Sequence, residues 1–172
     1  MSTKDKLLAL EAAGTLTRYA PYLRKPLKRR LFFAPDAAND FNNPKSATNV
    51  LCGRGFIASS LDRWVTGGRV FGNKKRGLFL DRLDPPPPEI WEVRVTEPSV
   101  QARLFGRFAE PDTLILTKFH TRNLLGDKGS ADWNRALAAC QKCWNDLFPE
   151  QLPHTGVSIF DYVTENCDDF PI

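Results

Sequence analysis

Between residues 94 and 122, arginine, lysine and histidine recur at the spacing of side chains that share one face of an extended chain. Arg103, Phe105 and Arg107 alternate with Leu104, Gly106 and Phe108, and successive strand residues point to opposite faces. On the next segment Leu114, Leu116, Lys118 and His120 share one face, while Ile115, Thr117 and Phe119 share the other. If the hairpin register sets Lys118 and His120 beside the arginines and a helix covers the reverse face, Arg94, Arg103, Arg107, Lys118 and His120 converge. Arg122 then lies just beyond the strand end. Such a cationic hollow holds phosphate through charge-assisted hydrogen bonds, bidentate from guanidinium. The alternative is a solvated face of a half-covered antiparallel sheet, its cations paired with Glu92, Glu110 or Asp112.

A second set of cations lies outside these strands. Arg24, Lys25, Lys28, Arg29 and Arg30 crowd around Pro26, which reads as an exposed basic arm, and Lys74, Lys75 and Arg76 form a basic turn. Together they would anchor nucleic-acid phosphates without reading sequence, with steep salt dependence. The rival role is solubility, or docking on the acidic tail of this or another chain. Cys140 and Cys143 sit inside a predicted helix, and Cys52 and Cys167 form no second C-x-x-C pair, so ordinary helix cysteines are expected rather than zinc, and no metal or cofactor. His154 reads as a surface residue. Trp64, Trp91, Trp133 and Trp144 fall on apolar stripes and read as core, with base stacking a minor alternative for Phe105.

Several elements must position these groups. Residues 5–13 favour a helix that continues toward 22, and 34–49, small and polar around Pro35 and Pro44, predict a long loop. Ile57, Leu61, Trp64 and Val65 predict a helix over 56–65, and four prolines at 85–88 an extended spacer. Alternation predicts a strand over 90–95, then strands 102–108 and 113–120 joined by a four-residue loop at 109–112. Trp133, Leu137, Cys140, Trp144 and Leu147 mark an amphipathic helix over 131–147, capped by Ser130. A short strand over 157–163 precedes an acidic end at Glu165, Asp168 and Asp169.

The chain has 172 residues, 42% of them hydrophobic, enough for one compact domain with a real core. We divide it into a basic helix, arm and loop at 1–50 and an α+β domain at 51–172. The net charge of +4 conceals an asymmetry: residues 1–89 carry 16 basic and 8 acidic side chains, and residues 90–172 carry 8 and 12. A polyanionic partner fits the basic half. No run of 18 apolar residues and no secretory leader is apparent, so no membrane association and a cytoplasmic location are expected, with the four cysteines as thiols.

Over about residues 78–147 the order of motifs resembles the RelE/HigB superfamily of toxin ribonucleases. The resemblance rests on Trp91-Glu92-Val93-Arg94, on Arg103 in a hydrophobic strand, and on Leu114 to Phe119 followed by His120-Thr121-Arg122 and a helix. It implies a small α+β fold with helices packed on a twisted antiparallel sheet, and a metal-independent endoribonuclease that cleaves mRNA at the ribosome under control of an antitoxin protein. By position, Arg94, Arg103 and Arg122 match the basic residues of the pattern and Phe119 its aromatic, while His120-Thr121-Arg122 replaces the usual pair of lysines. Cleavage by the 2′-hydroxyl needs an in-line nucleotide, a proton acceptor and positive charge on the phosphate oxygens. Arg103 and Arg122 are the candidates for the phosphate, and Lys118 or His120 for the proton. A non-catalytic nucleic-acid-binding or phage-type accessory protein using the basic N-terminal half is the alternative. A third reading is an interaction module engaging a partner through the acidic tail and the prolines.

Overall fold

The computed structural model describes residues 1–22, 24–73, 77–83 and 89–172. Lys74, Lys75 and Arg76 of the basic turn and the prolines at 85–88 lie outside the described residues.

Helix α1 (Thr3–Ala12) begins at a capping box in which the Ser2 hydroxyl accepts from the Asp5 N–H and the Asp5 carboxylate from the Ser2 N–H. It does not continue toward 22. Thr17–Arg18 instead form β1, antiparallel to β2 (Arg30–Phe33). Leu16 and Tyr19 explain the change, because they bury in different apolar clusters, and a helix would set residues three apart on one side. The expected loop at 34–49 contains helix α2 (Pro35–Asn42), with Pro35 at its first turn. Ala37 and Phe41, four residues apart, carry its buried face. A π-turn (Asn49–Gly53) leads into α3 (Arg54–Val65), whose buried residues Ile57, Leu61, Trp64 and Val65 are those the spacing predicts.

The remaining strands are β3 (Gly72–Asn73), β4 (Gly77–Leu78), β5 (Leu80–Leu83), β6 (Ile90–Val95), β7 (Ala102–Glu110) and β8 (Thr113–Thr121). A four-residue helix α4 (Arg122–Leu125) and the long α5 (Ala131–Leu147) follow. The main sheet runs in the order β1-β2-β8-β7-β6-β5. It is mixed rather than wholly antiparallel, because β2 lies parallel to β8. Parallel neighbours need a crossover, and here the connection from β2 to β8 contains α2, α3 and the strands between, a pairing across about eighty residues that local periodicity does not encode. The hairpin turn is shorter than predicted: pairing extends to Glu110 and Thr113, leaving Pro111 and Asp112, with Asp112 at φ +57°. Residues 157–163 form no strand among the described residues. They hold a 3-10 turn (Ile159–Asp161) in which the Asp161 carboxylate accepts from the Val157 and Ser158 N–H groups.

Helices cover both faces of the sheet. On one, α2, α3 and Ile159, Tyr162 and Val163 pack against Phe33, Trp91, Leu104, Phe108 and Phe119. On the other, α1 and α5 bury Phe32 and Ile115 with Leu7, Trp144 and Phe148, while α4 and α5 bury Ile90 and Phe105 with Leu125, Trp133 and Cys140. Thus α5 lies on the arginine-bearing face, the reverse of the expectation. That face also carries Ile90, Phe105 and Ile115, which need an apolar cover, and the stripe of α5 supplies it. All four tryptophans are core residues. Residues 1–50 supply β1, β2 and α2 to this same sheet and core. Among the described residues no helix is long and apolar enough to cross a membrane.

Where β7 and β8 shift register, an added Cβ on Gly106 would stand 2.3 Å from the Ile115 carbonyl oxygen and 3.0 Å from the Leu116 Cα. Both neighbours are backbone in the middle of the sheet. Gly106→Ala therefore lowers stability by at least about 2 kcal/mol, measured by urea unfolding.

Candidate functional site

The register sets Arg94 opposite Arg103 and Arg103 opposite His120, with Phe105 opposite Lys118 in the next row. Three of the candidate residues therefore form one line across β6, β7 and β8. The line is not an open cationic hollow. Glu92, 1% exposed on the same face, accepts a hydrogen bond from Arg94 Nε at 2.6 Å through Oε1, and its Oε2 lies 3.7 Å from Arg103 Nε. Arg94 also donates to Asp81 Oδ2 at 2.7 Å. Arg103, itself buried, donates to the Ala102 carbonyl and to Gln101 Oε1 at 3.0 Å each. Burial raises the Glu92 pKa, and the charges of Arg94 and Arg103 oppose that rise. The alternation of Glu92 with Arg94 already places a carboxylate on this face, and burial turns it into the common partner of two guanidiniums.

The other candidates lie around this line. Arg122 donates to the Gly126 carbonyl at 2.6 Å and approaches Asp127 at 3.9 Å. Its charge disfavours the charged form of Arg103, so the two share one end of the sheet. Arg107 is separate: it lies buried beneath α5, its guanidinium 5.6 Å from the Trp144 ring centre, with Nε 3.4 Å from the Glu89 carbonyl. Lys118 faces Asp40 at 3.4 Å and Asp36 at 3.9 Å. The His120 ring packs 4.8 Å from Phe105, and burial, reinforced by Lys118, depresses its pKa to about 4. It is neutral at pH 7. Its Nε2 is buried without a hydrogen-bond partner.

A cleft of about 460 Å³ opens between α2 and α5 over residues 117–121 of β8. It exists because β2 pairs with β8 only as far as Leu116, after which the chain turns at Ala34 into α2. Asp40 of α2 supplies the hydrogen bond that a longer β2 would have made: its Oδ2 accepts from the Phe119 N–H at 3.0 Å. Burial raises the Asp40 pKa against the pull of that bond and of Lys118. The sequence reading placed no helix here and missed Asp40. The Ala37/Phe41 spacing behind Pro35 is the signal that could have found it.

The basic arm divides. Arg24, Lys25 and Lys28 are exposed. Arg29 is buried, its guanidinium 5.0 Å from the Trp64 ring centre, donating to the carbonyls of Gly68 at 2.9 Å and Glu165 at 2.6 Å. Arg30 belongs to β2 and is paired with Glu110. Of the exposed part, Lys25 lines a groove of about 510 Å³ along α3, together with Tyr22, Arg54, Ser59 and Arg63 among others, while Lys28 borders a separate cavity with Thr66 and Gly67. Small residues at Gly55, Ala58 and Ser59 make the depression, and a cation stands near each end of the helix. Arg54 lies 4.3 Å over the Phe41 ring and Arg63 5.2 Å over Phe71. Neither arginine was singled out from sequence: Arg63 sits on the polar stripe away from Ile57, Leu61 and Trp64, whereas Arg54, three residues before Ile57 and seven before Leu61, opens the helix on its apolar side.

The cysteines are free thiols, and burial pushes Cys140 up to about 12 and Cys143 to about 11, far from thiolates at neutral pH. Among the described residues no three His, Cys, Asp or Glu side chains converge as a metal site. His154 is half-buried, its Nε2 2.8 Å from the Asp161 carbonyl and its ring against Tyr162. No protein-family model matches the chain, and neither curated proteins nor solved structures provided a match.

Two outcomes follow from this geometry. Glu92→Leu leaves the buried Arg103 without its carboxylate partner and the half-buried Arg94 with Asp81 alone, and lowers stability by about 3 kcal/mol in urea unfolding, whereas Lys142→Ala on the exposed face of α5 changes it little. His120 binds its proton less readily folded than unfolded, so the unfolded state holds more protons between pH 6.5 and 4. Stability is thus unaffected by His120 above about pH 6.5 and declines by up to about 3 kcal/mol as the pH falls to about 4. His120→Gln removes that contribution to the acid limb, as read from unfolding midpoints across the pH series.

Proposed function

We propose that this protein binds nucleic acid, chiefly single-stranded, along the groove between Tyr22, Lys25 and α3, with Arg24 and Lys28 as flanking cations. The observation that carries this reading is that Arg24, Lys25, Lys28, Arg54 and Arg63 are all exposed and that none is in an ion pair among the described residues. The arginines near β6 and β7, in contrast, are held by carboxylates. Tyr22, 92% exposed beside these cations, offers a face on which an unpaired base can stack. Exposed cations lose little hydration when they meet phosphate and release counterions from the nucleic acid.

A second reading, an endoribonuclease of RelE type acting on mRNA at the ribosome and restrained by an antitoxin, is favoured by one feature: Arg103, His120 and Arg122 gather at one end of the sheet. The antiparallel β6, β7 and β8 followed by a helix also have the order that the resemblance implies. There, Arg122 would meet the phosphate and neutral His120 would accept the 2′-hydroxyl proton. Induced expression then arrests growth and translation, and His120→Ala with Arg122→Ala relieves the arrest; harmless wild-type expression rejects this reading.

For the binding reading, the measurement is fluorescence anisotropy with a labelled single-stranded oligonucleotide across a salt series. Each lost phosphate contact should flatten the log–log salt slope by about 0.7. Combining Arg24→Ala, Lys25→Ala and Lys28→Ala therefore reduces the slope by about 2 and weakens binding at least about tenfold at low salt, while Lys142→Ala leaves both unchanged. Equal binding by the triple variant would overturn the proposal.

A further inference from the structure

The groove along α3 is basic, yet its lining includes one carboxylate. Asp62 shares it with Lys25, Arg54 and Arg63, and among the described residues Asp62 is in no ion pair. Its position is set by the core instead. The Tyr19 hydroxyl, on a residue 6% exposed, donates to Asp62 Oδ1 at 2.6 Å. Burial, together with that hydrogen bond, holds the hydroxyl above its ordinary pKa, so it stays a donor. The Tyr19 ring in turn packs against Phe33 and Phe41, with ring centres 5.6 and 5.7 Å away.

A carboxylate repels phosphate, so a groove that only tracked a nucleic-acid backbone would bind better without it. What it can meet favourably is a base edge, because its oxygens accept and bases carry N–H donors. Tyr19 occupies only one of its several acceptor positions. Among the common bases guanine alone presents two neighbouring donors, N1–H and the 2-amino group, on one edge. Adenine and cytosine set an acceptor beside their amino group, and uracil and thymine flank a single N–H with carbonyls. There is room beside the carboxylate: Ala58 and Ser59 line the groove one turn before Asp62, Gly55 one turn before them, and a Cβ added at Gly55 would meet nothing within 4 Å. We infer that Asp62 gives the groove a preference for guanine, its carboxylate accepting from N1–H and the 2-amino group of an unpaired base while Lys25, Arg54 and Arg63 meet the flanking phosphates.

This inference rests on the nucleic-acid reading of the groove and adds base selection to it. The test is fluorescence anisotropy of the full chain with labelled thymine-rich single strands, identical except at every third base, which is guanine, inosine, adenine or cytosine. The guanine strand should bind at least about tenfold tighter than the adenine and cytosine strands, as expected for hydrogen bonds to a charged acceptor. Inosine keeps N1–H and lacks the 2-amino group, so its strand should fall between them. All strands carry the same phosphates, so added salt should weaken them in parallel and leave the ratios in place. In Asp62→Asn the amide oxygen still accepts from Tyr19 while the amide N–H groups oppose the guanine donors, and the guanine-to-adenine ratio should fall to about one. Equal wild-type affinity for the guanine and adenine strands, with binding still weakened by the triple substitution at Arg24, Lys25 and Lys28, overturns the inference and leaves the groove reading standing. A preference that survives in Asp62→Asn overturns it as well, and failure of every strand to bind overturns both.

Discussion

The nine-residue β8 lies beside a four-residue β2, and that mismatch in length shapes the rest of the molecule. An unpaired strand edge exposes amide and carbonyl groups that must be satisfied or shielded. Here β2 ends at Phe33, α2 takes over the same flank, and a carboxylate, Asp40, meets the Phe119 N–H. A helix cannot follow a strand edge as closely as another strand does, so a cleft remains between α2 and α5. The position of His120, Lys118 and Thr121 on its floor is a consequence of where β2 stops.

Covering both faces of the sheet imposes a second constraint. Were the face bearing Arg94, Arg103 and Arg107 open to water, its cations would need no partners. With α5 and α4 packed over Phe105 and Ile90, they do. Glu92 answers part of that need, and Asp81 on the neighbouring strand answers more. Buried pairs of this sort add little net stability relative to apolar replacements, yet removing one member is costly. The cluster therefore reads first as an internal lock of three strands, with Arg122 and His120 at its open end.

The charge asymmetry of the sequence is partly neutralised inside the fold. Acidic residues of the second half meet basic residues of the first: Glu110 pairs with Arg30, Asp168 with Arg69 at 2.7 Å, and Asp112 stands 3.7 Å from Arg29. The first and last of these contacts bind the β7–β8 hairpin to the β2 end, and the Asp168–Arg69 pair binds the C-terminal segment to the chain just beyond α3. Among the described residues the exposed cations outside ion pairs include Arg24, Lys25, Lys28, Arg54 and Arg63, with Lys4, Lys45 and Lys128 elsewhere on the surface, and this remainder, rather than the total of basic residues, is what a polyanion would encounter.

The spans of β6 and α5 were legible in the sequence, and those of α3, β7 and β8 nearly so, because each has a strong apolar period that its own burial satisfies. Glu92 and Arg94 alternating with Trp91 and Val93 likewise determined that a carboxylate and a guanidinium share a face. Helix α2 was hidden, since its eight residues include only two large contributions to the core, Ala37 and Phe41, amid polar neighbours. What the tertiary structure alone decided was which face α5 covers, that β2 runs parallel to β8, and that Arg29 is buried while Lys28 one residue earlier is exposed. The reason is physical: periodicity reports how a segment divides into an apolar and a polar side, but not which other segment will meet either side. Whether a charge is free or paired depends on that meeting.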